Sequence, residues 1–154
     1  MIDAVDLSIL KILQEKARIP NVEVARQVGM APSAVLERIR KLEKQGIIAG
    51  YEVRLNPDRF ARKLVAFITV TVTKRQDEAR WGEALAALPE VQEVHCVAGD
   101  DGMLIKVRVA DPEELGRFIR DKISAVEGIR LIRTVIVLDT YKETARIPID
   151  KGSR

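Results

Sequence analysis

Two short amphipathic helices joined by a glycine turn in residues 21–45, a break in periodicity at 56–63, and alternating strand and helix patterns beyond it predict an α+β chain. The expected architecture is an N-terminal winged helix-turn-helix over residues 1–55, a linker at 56–63, and a ferredoxin-like βαββαβ domain over 64–154. A chain of 154 residues suffices for two compact domains of well under a hundred residues each.

The first helix is expected from about Asp6 to Lys16, where Leu7, Ile9, Leu10, Ile12 and Leu13 offer more apolar surface than one exposed helix carries. It would floor the helix-turn-helix core. Pro20 halts the chain, Asn21 is the candidate N-cap of the second helix, and Gly29 sits where a left-handed C-terminal residue belongs. Val24, Ala25 and Val28 stripe that helix, while Val35, Leu36, Ile39 and Leu42 stripe the third, which Pro32 opens and Gly46 ends. The segment IIAGYEVRL then alternates imperfectly, as a short strand pair or wing would.

In the second half, Leu64 to Thr73 is β-branched and alternating, and Asp77 to Leu88 places Trp81, Leu85 and Leu88 at helical spacing. Val91 to Ala98 reads as a second strand, Gly99-Asp100-Asp101-Gly102 as a turn, and Met103 to Val109 as the returning strand. Asp111-Pro112-Glu113-Glu114 opens a helix with an N-cap, a proline at its first position and acidic charge at its positive end. Gly128 closes that helix before a last strand from Ile129 to Leu138. A four-stranded sheet covered by two helices leaves one face for a partner, and alternate residues of Leu64 to Val72, Met103 to Val109 and Ile129 to Val137 would fill that contact. The alternative is that segments of the same chain cover it.

Function follows first from what the third helix leaves outside. Ser33, Ala34, Glu37, Arg38, Arg40, Lys41 and Lys44 form a slim leading edge followed by four cations, a surface suited to the major groove of double-stranded DNA. Ser33, Ala34, Glu37 and Arg38 would meet base edges; Arg40, Lys41 and Lys44 would hold phosphates, and Tyr51 and Arg54 would touch the backbone from the wing. Aromatics are only 4% of the chain, too few to build stacking platforms for single strands, and a formal charge of +3 calls for more than one copy to neutralise many phosphates. Helix hairpins with basic surfaces also occur in ordinary helical cores.

The remaining residues speak against other classes. One cysteine, Cys96, rules out an intrachain disulfide, no apolar run approaches a membrane span, and no signal peptide precedes Met1-Ile2-Asp3, so the chain reads as cytoplasmic. His95 and Cys96 point to opposite faces of a strand and are expected as packing residues. There is no second histidine for a zinc site or a triad and no phosphate or dinucleotide fingerprint, so neither an enzyme nor a cofactor is expected. Glu113 and Glu114 fit helix-terminal charges better than general acids.

Nearly all of the chain resembles the Lrp/AsnC (leucine-responsive, feast/famine) family of transcriptional regulators. The resemblance is carried by Asp6 with Ile9-Leu10, by Arg18 to Val28, and by Leu36-Glu37-Arg38-Ile39-Arg40 with Leu42-Glu43. Gln45-Gly46-Ile47-Ile48 with Gly50-Tyr51, Leu55-Asn56-Pro57, and Gly99-Asp100 with Leu104 complete it. It implies a homodimer, often assembled into an octamer, that binds DNA upstream of amino-acid metabolism genes, responds to small effectors such as amino acids, and packs its sheets face to face. The turn Gly99-Asp100-Asp101-Gly102 then has three readings: a plain hairpin, a metal site without further oxygen ligands, or part of the effector pocket the resemblance implies. In that pocket a backbone amide would hold the effector carboxylate and Asp100 or Asp101 its ammonium. The chain departs from the family with Asp101, Gly102 and Met103 where aromatic, Asp and aromatic residues are common, and with Ala31 where a capping serine is frequent. The rival to a regulator is an amino-acid-sensing or assembly module whose N-terminal helices bind protein.

Overall fold

The computed structural model describes residues 2–72, 78–98 and 102–149, which pack as two units. The first joins residues up to Arg54 with the segment beginning at Glu143; the second is Leu55–Lys142.

The helical unit contains α1 (Ala4–Glu15), α2 (Asn21–Val28) and α3 (Pro32–Lys44). α1 starts two residues before the expected Asp6 because Asp3 caps it: the Asp3 side chain accepts the Asp6 N–H at 2.8 Å while Asp6 accepts the Asp3 N–H at 3.1 Å. Asn21 is the first helical residue rather than the N-cap; Pro20 takes the cap position, with no side-chain cap. Proline at 20 presets the extended backbone there, φ −61°, so no acceptor side chain was needed to start the helix. Gly29 is left-handed at φ +69°, as expected. Gly46, also left-handed, closes α3 with its N–H on the Glu43 carbonyl and the Ile47 N–H on Leu42, both at 2.9 Å. Ile9, Leu13, Val24, Ala25, Val35 and Ile39 form the core, with Val5, Ile12, Ile19, Val28, Met30 and Ile48 around it.

The expected strand pair after α3 does not form. The Ile47 and Ile48 N–H groups both turn back to the Leu42 carbonyl, and residues 49–56 carry no strand. Their alternating apolar residues find no core face, so Val53 and Leu55 stay 85% and 61% exposed.

The second unit opens with a 3-10 turn, Pro57–Phe60, whose preceding Asn56 side chain accepts the Asp58 N–H. Then follow β1 (Leu64–Val72), α4 (Glu78–Ala86), β2 (Val91–Val97), β3 (Gly102–Val109), α5 (Pro112–Phe118) running into a π-helical turn (Ile119–Ile123), and β4 (Ile129–Ile136). The four-stranded sheet has order β2-β3-β1-β4 with every neighbour antiparallel, the ferredoxin-like arrangement. One face buries Ala66, Ile68, Val70, Met103, Ile105, Val107 and Val109 against Trp81, Leu85, Leu115, Phe118 and Ile123 from the helices. The other face aligns Glu93, Lys106, Phe67 and Val135 across the strands, and His95, Leu104, Thr69 and Arg133 beside them.

Candidate nucleic-acid interface and effector hairpin

α3 forms because Val35, Ile39 and Leu42 recur on one side and bury against α1 and α2. The same periodicity puts Ser33, Glu37, Arg40, Lys41 and Lys44 outside as an exposed stripe, with Ala34 half-buried at its edge. Arg40, Lys41 and Lys44 enter no ion pair among the described residues, so their three positive charges stand unpaired on this exposed stripe.

Arg38 is placed differently from the expected base-edge role. Its Nη1 donates to Asp3 Oδ2 at 2.6 Å and to Asp6 Oδ1 at 2.7 Å, turning it toward the start of α1. Those carboxylates raise the guanidinium's pKa, and the Asp6 N–H together with Arg38 holds the Asp3 carboxyl below its usual range. Sequence spacing could have hinted at this, since position 38 falls next to the buried positions 35, 39 and 42 on the helical wheel.

Tyr51 is about half exposed and donates its hydroxyl to Glu43 Oε1 at 2.9 Å; partial burial and that carboxylate push its pKa up to about 12. Arg54 is exposed, 3.8 Å from Glu143. Both belong to an irregular segment, not to a strand.

Of the candidate effector residues, Gly99, Asp100 and Asp101 lie outside the described residues. Gly102 is described, and its value lies in close approach: it pairs with Thr71, and a Cβ there would stand 2.3 Å from the Val70 carbonyl oxygen. Gly102, expected as the last residue of the turn, is already the first residue of β3.

His95 and Cys96, expected as packing residues, are both exposed. β2 is an edge strand, paired with β3 on one flank and with no described strand on the other, and His95 bonds Glu93 at 3.2 Å, which also accepts from Lys106. The N-cap expected at Asp111 does form, accepting the Glu114 N–H at 2.8 Å. Glu114 also accepts the Ala110 N–H at 2.6 Å and pairs with Arg62, and Glu113 pairs with Arg117. No group of His, Cys, Asp and Glu suited to a metal occurs among the described residues, and no helix there is long and apolar enough to cross a membrane.

Residues 2–49 match the family described as winged helix-turn-helix DNA-binding, and residues 65–147 match the Lrp/AsnC ligand binding domain. The chain belongs to the Lrp/AsnC family. The leucine-responsive regulatory protein of Haemophilus influenzae is 35% identical over 145 residues, spanning 93% of this chain and 87% of the relative. That of Escherichia coli is 35% identical over 150 residues, spanning 96% and 92%. Among solved structures, a Neisseria meningitidis transcriptional regulator in complex with L-Met superposes with a TM-score of 0.91 at 30% identity, over 96% of this chain and 97% of the other. AsnC of E. coli gives 0.88 at 28% identity, over 96% and 99%. This chain is accordingly a DNA-binding transcriptional regulator of the Lrp/AsnC type, with a ligand-binding domain after its helix-turn-helix.

Proposed function

We propose that the chain acts in the cytoplasm as a homodimer that reads duplex DNA sequence through α3 and changes its DNA affinity when an amino acid binds. The observation that carries this reading is the exposed stripe of α3, where Ser33, Ala34 and Glu37 form a narrow edge followed by Arg40, Lys41 and Lys44, which make no ion pair among the described residues. Small and hydrogen-bonding side chains at the leading turn reach base edges, and the cations along the later turns neutralise phosphates. Tyr51 and Arg54 contribute backbone contacts at most, since Glu43 and Glu143 stand beside them.

Dimerisation uses the sheet face away from α4 and α5. Val135 is 58% exposed there, with Phe67 and Leu104 half-buried, and a twofold repeat of that face gives the isologous contact that paired half-sites need. Assembly of such dimers into an octamer is a further step of the same kind. The effector is a free amino acid, as L-Met is in the complex of the N. meningitidis relative. The turn Gly99-Asp100-Asp101-Gly102 supplies part of its site: an amide for the carboxylate and an aspartate for the ammonium.

Fluorescence anisotropy with duplex DNA from upstream of the chain's own gene and with a scrambled duplex, across a salt series, tests the reading. Preference for the native duplex that persists at moderate salt supports it. Equal, weak and salt-labile binding to both defeats it. Calorimetry with a panel of amino acids, methionine included, checks the effector, and Asp100→Ala should weaken any binding observed.

A further inference from the structure

One cation of α3 stands apart from the DNA-facing stripe. Arg38 has only 30% of its side chain exposed, and one nitrogen, Nη1, serves both Asp3 and Asp6. The two carboxylates are fixed in turn by the reciprocal capping box at the start of α1. Asp6 is 8% exposed and is the charged residue of the buried set. One positive charge against two negative ones leaves the cluster net negative, so Arg38 has no charge to spare for a phosphate. Drawing it out toward DNA would strand Asp6 as a buried carboxylate without its partner, which costs more than the pair itself contributes. Arg40, Lys41 and Lys44 carry no such commitment.

We propose that Arg38 is a positioning residue for DNA recognition: tied to Asp3 and Asp6, it fixes the rotation and axial placement of α3 against α1. The proposal rests on α3 being the DNA-reading helix. The same groove that holds Asp3, Asp6 and Arg38 is lined by Ala34, Glu37 and Lys41, so the clamp lies directly beside the reading edge. Recognition geometry tolerates displacements of only about 0.5 Å before contacts are lost. The apolar core of α3 fixes which face is buried against α1 and α2, but aliphatic contacts are non-directional and fix the last fraction of an ångström less sharply than polar ones do. Two charge-assisted hydrogen bonds donated by a single nitrogen to two carboxylates are directional and supply the finer constraint.

The test compares full-length wild type with Asp3→Asn, Asp6→Asn, Arg38→Gln and Arg38→Lys by anisotropy on native and scrambled duplexes, across salt, well below each melting temperature. Asp3 is half exposed, so Asp3→Asn gives a variant that folds even where Asp6→Asn is too disruptive. The expected result is that Asp3→Asn and Arg38→Gln each lower the native-to-scrambled affinity ratio by about tenfold, the loss expected when a base contact is misplaced. The double variant should be no worse than either, the salt slope should stay that of wild type, and Arg38→Lys should recover part of the ratio. Asp3 belongs to the cap of α1 and not to α3, so a change of specificity in Asp3→Asn is read through its hold on Arg38. Two outcomes overturn the proposal: Arg38→Gln reducing the salt slope by about 0.9, the signature of one lost phosphate contact, or Arg38→Gln lowering the native-to-scrambled ratio while Asp3→Asn leaves it unchanged, the signature of a direct base contact by Arg38. Wild type without preference for the native duplex sinks the DNA reading and this proposal with it; wild-type preference retained in full by both variants sinks the proposal alone.

Discussion

Gln14 and Ile147 hold one another through a reciprocal pair of hydrogen bonds. Gln14 Nε2 donates to the Ile147 carbonyl at 3.1 Å, and the Ile147 N–H donates to Gln14 Oε1 at 2.9 Å. Beside them Arg146 donates to the Glu15 carboxylate at 2.9 Å and to the Glu15 carbonyl at 3.3 Å. α1 has no basic residue in its own last turn, so the tail supplies the cation that the negative helix end favours.

Removing residues 143–154 should therefore loosen the end of α1. Exposed hydrogen bonds contribute about 0.5–1.5 kcal/mol each, and the expected loss is about 1–2 kcal/mol in the helical unit. Amide hydrogen exchange at Leu13 to Lys16 checks it: faster exchange by about tenfold is predicted. Unchanged exchange would mean the tail rests on α1 without supporting it.

Ala31 occupies the N-cap of α3 with extended backbone, φ −69° and ψ 142°, and offers no side-chain acceptor. Ala31→Ser should stabilise the helical unit by about 1 kcal/mol, since only the missing oxygen is added. Thermal melting measures this, and an unaltered melting temperature would move the helix boundary.

Gly128 cannot carry a side chain. Its φ is +94°, and a Cβ would stand 2.6 Å from Cζ2 of Trp81, whose indole N–H donates to the Glu127 carbonyl at 2.8 Å. Gly128→Ala should cost about 2–4 kcal/mol through backbone strain and overpacking. The chain has one tryptophan, so its emission reports this site directly. Wild-type emission and stability in the variant would refute the packing described.

Glu23 accepts from Arg26 at 2.6 and 3.0 Å and from Gln27 at 3.0 Å, and these donors, Arg26 foremost, lower its pKa from 4.5 to about 2. A folded pKa below the unfolded one gives stability that is present above the unfolded value and lost as pH falls toward the folded value. The melting-temperature gap between wild type and Glu23→Gln should thus be full at neutral pH and close between about pH 4.5 and about 2. A gap that does not change with pH would contradict the pairing.

Much of this was legible from pattern alone. Helical stripes such as Val35, Ile39 and Leu42, and the alternation of Ala66, Ile68 and Val70, report burial directly, so the element order and both cores followed from them. Asp111 and Gly29 were readable because capping chemistry is local. What escaped was set by contacts distant in sequence. Arg38 meets carboxylates 32 and 35 residues away, and Gln14 meets a carbonyl 133 residues on. Nothing in the neighbourhood of either residue encodes its partner. His95 and Cys96 were misplaced because an edge strand has the composition of an inner one but fewer neighbours. The imperfect alternation after Gly46 resembled a strand while having no ladder to join.

The central claim is that α3 reads sequence with its leading edge and holds phosphates with its later turns. Selection of preferred duplexes from a randomised pool by wild type, Ser33→Ala, Glu37→Ala, Arg40→Ala and Lys44→Ala, with salt slopes for each, addresses it most directly. Ser33→Ala and Glu37→Ala should change the preferred bases at particular positions, whereas Arg40→Ala and Lys44→Ala should keep the preference and each reduce the salt slope by about 0.9. Identical preferred sequences from all five proteins would contradict it.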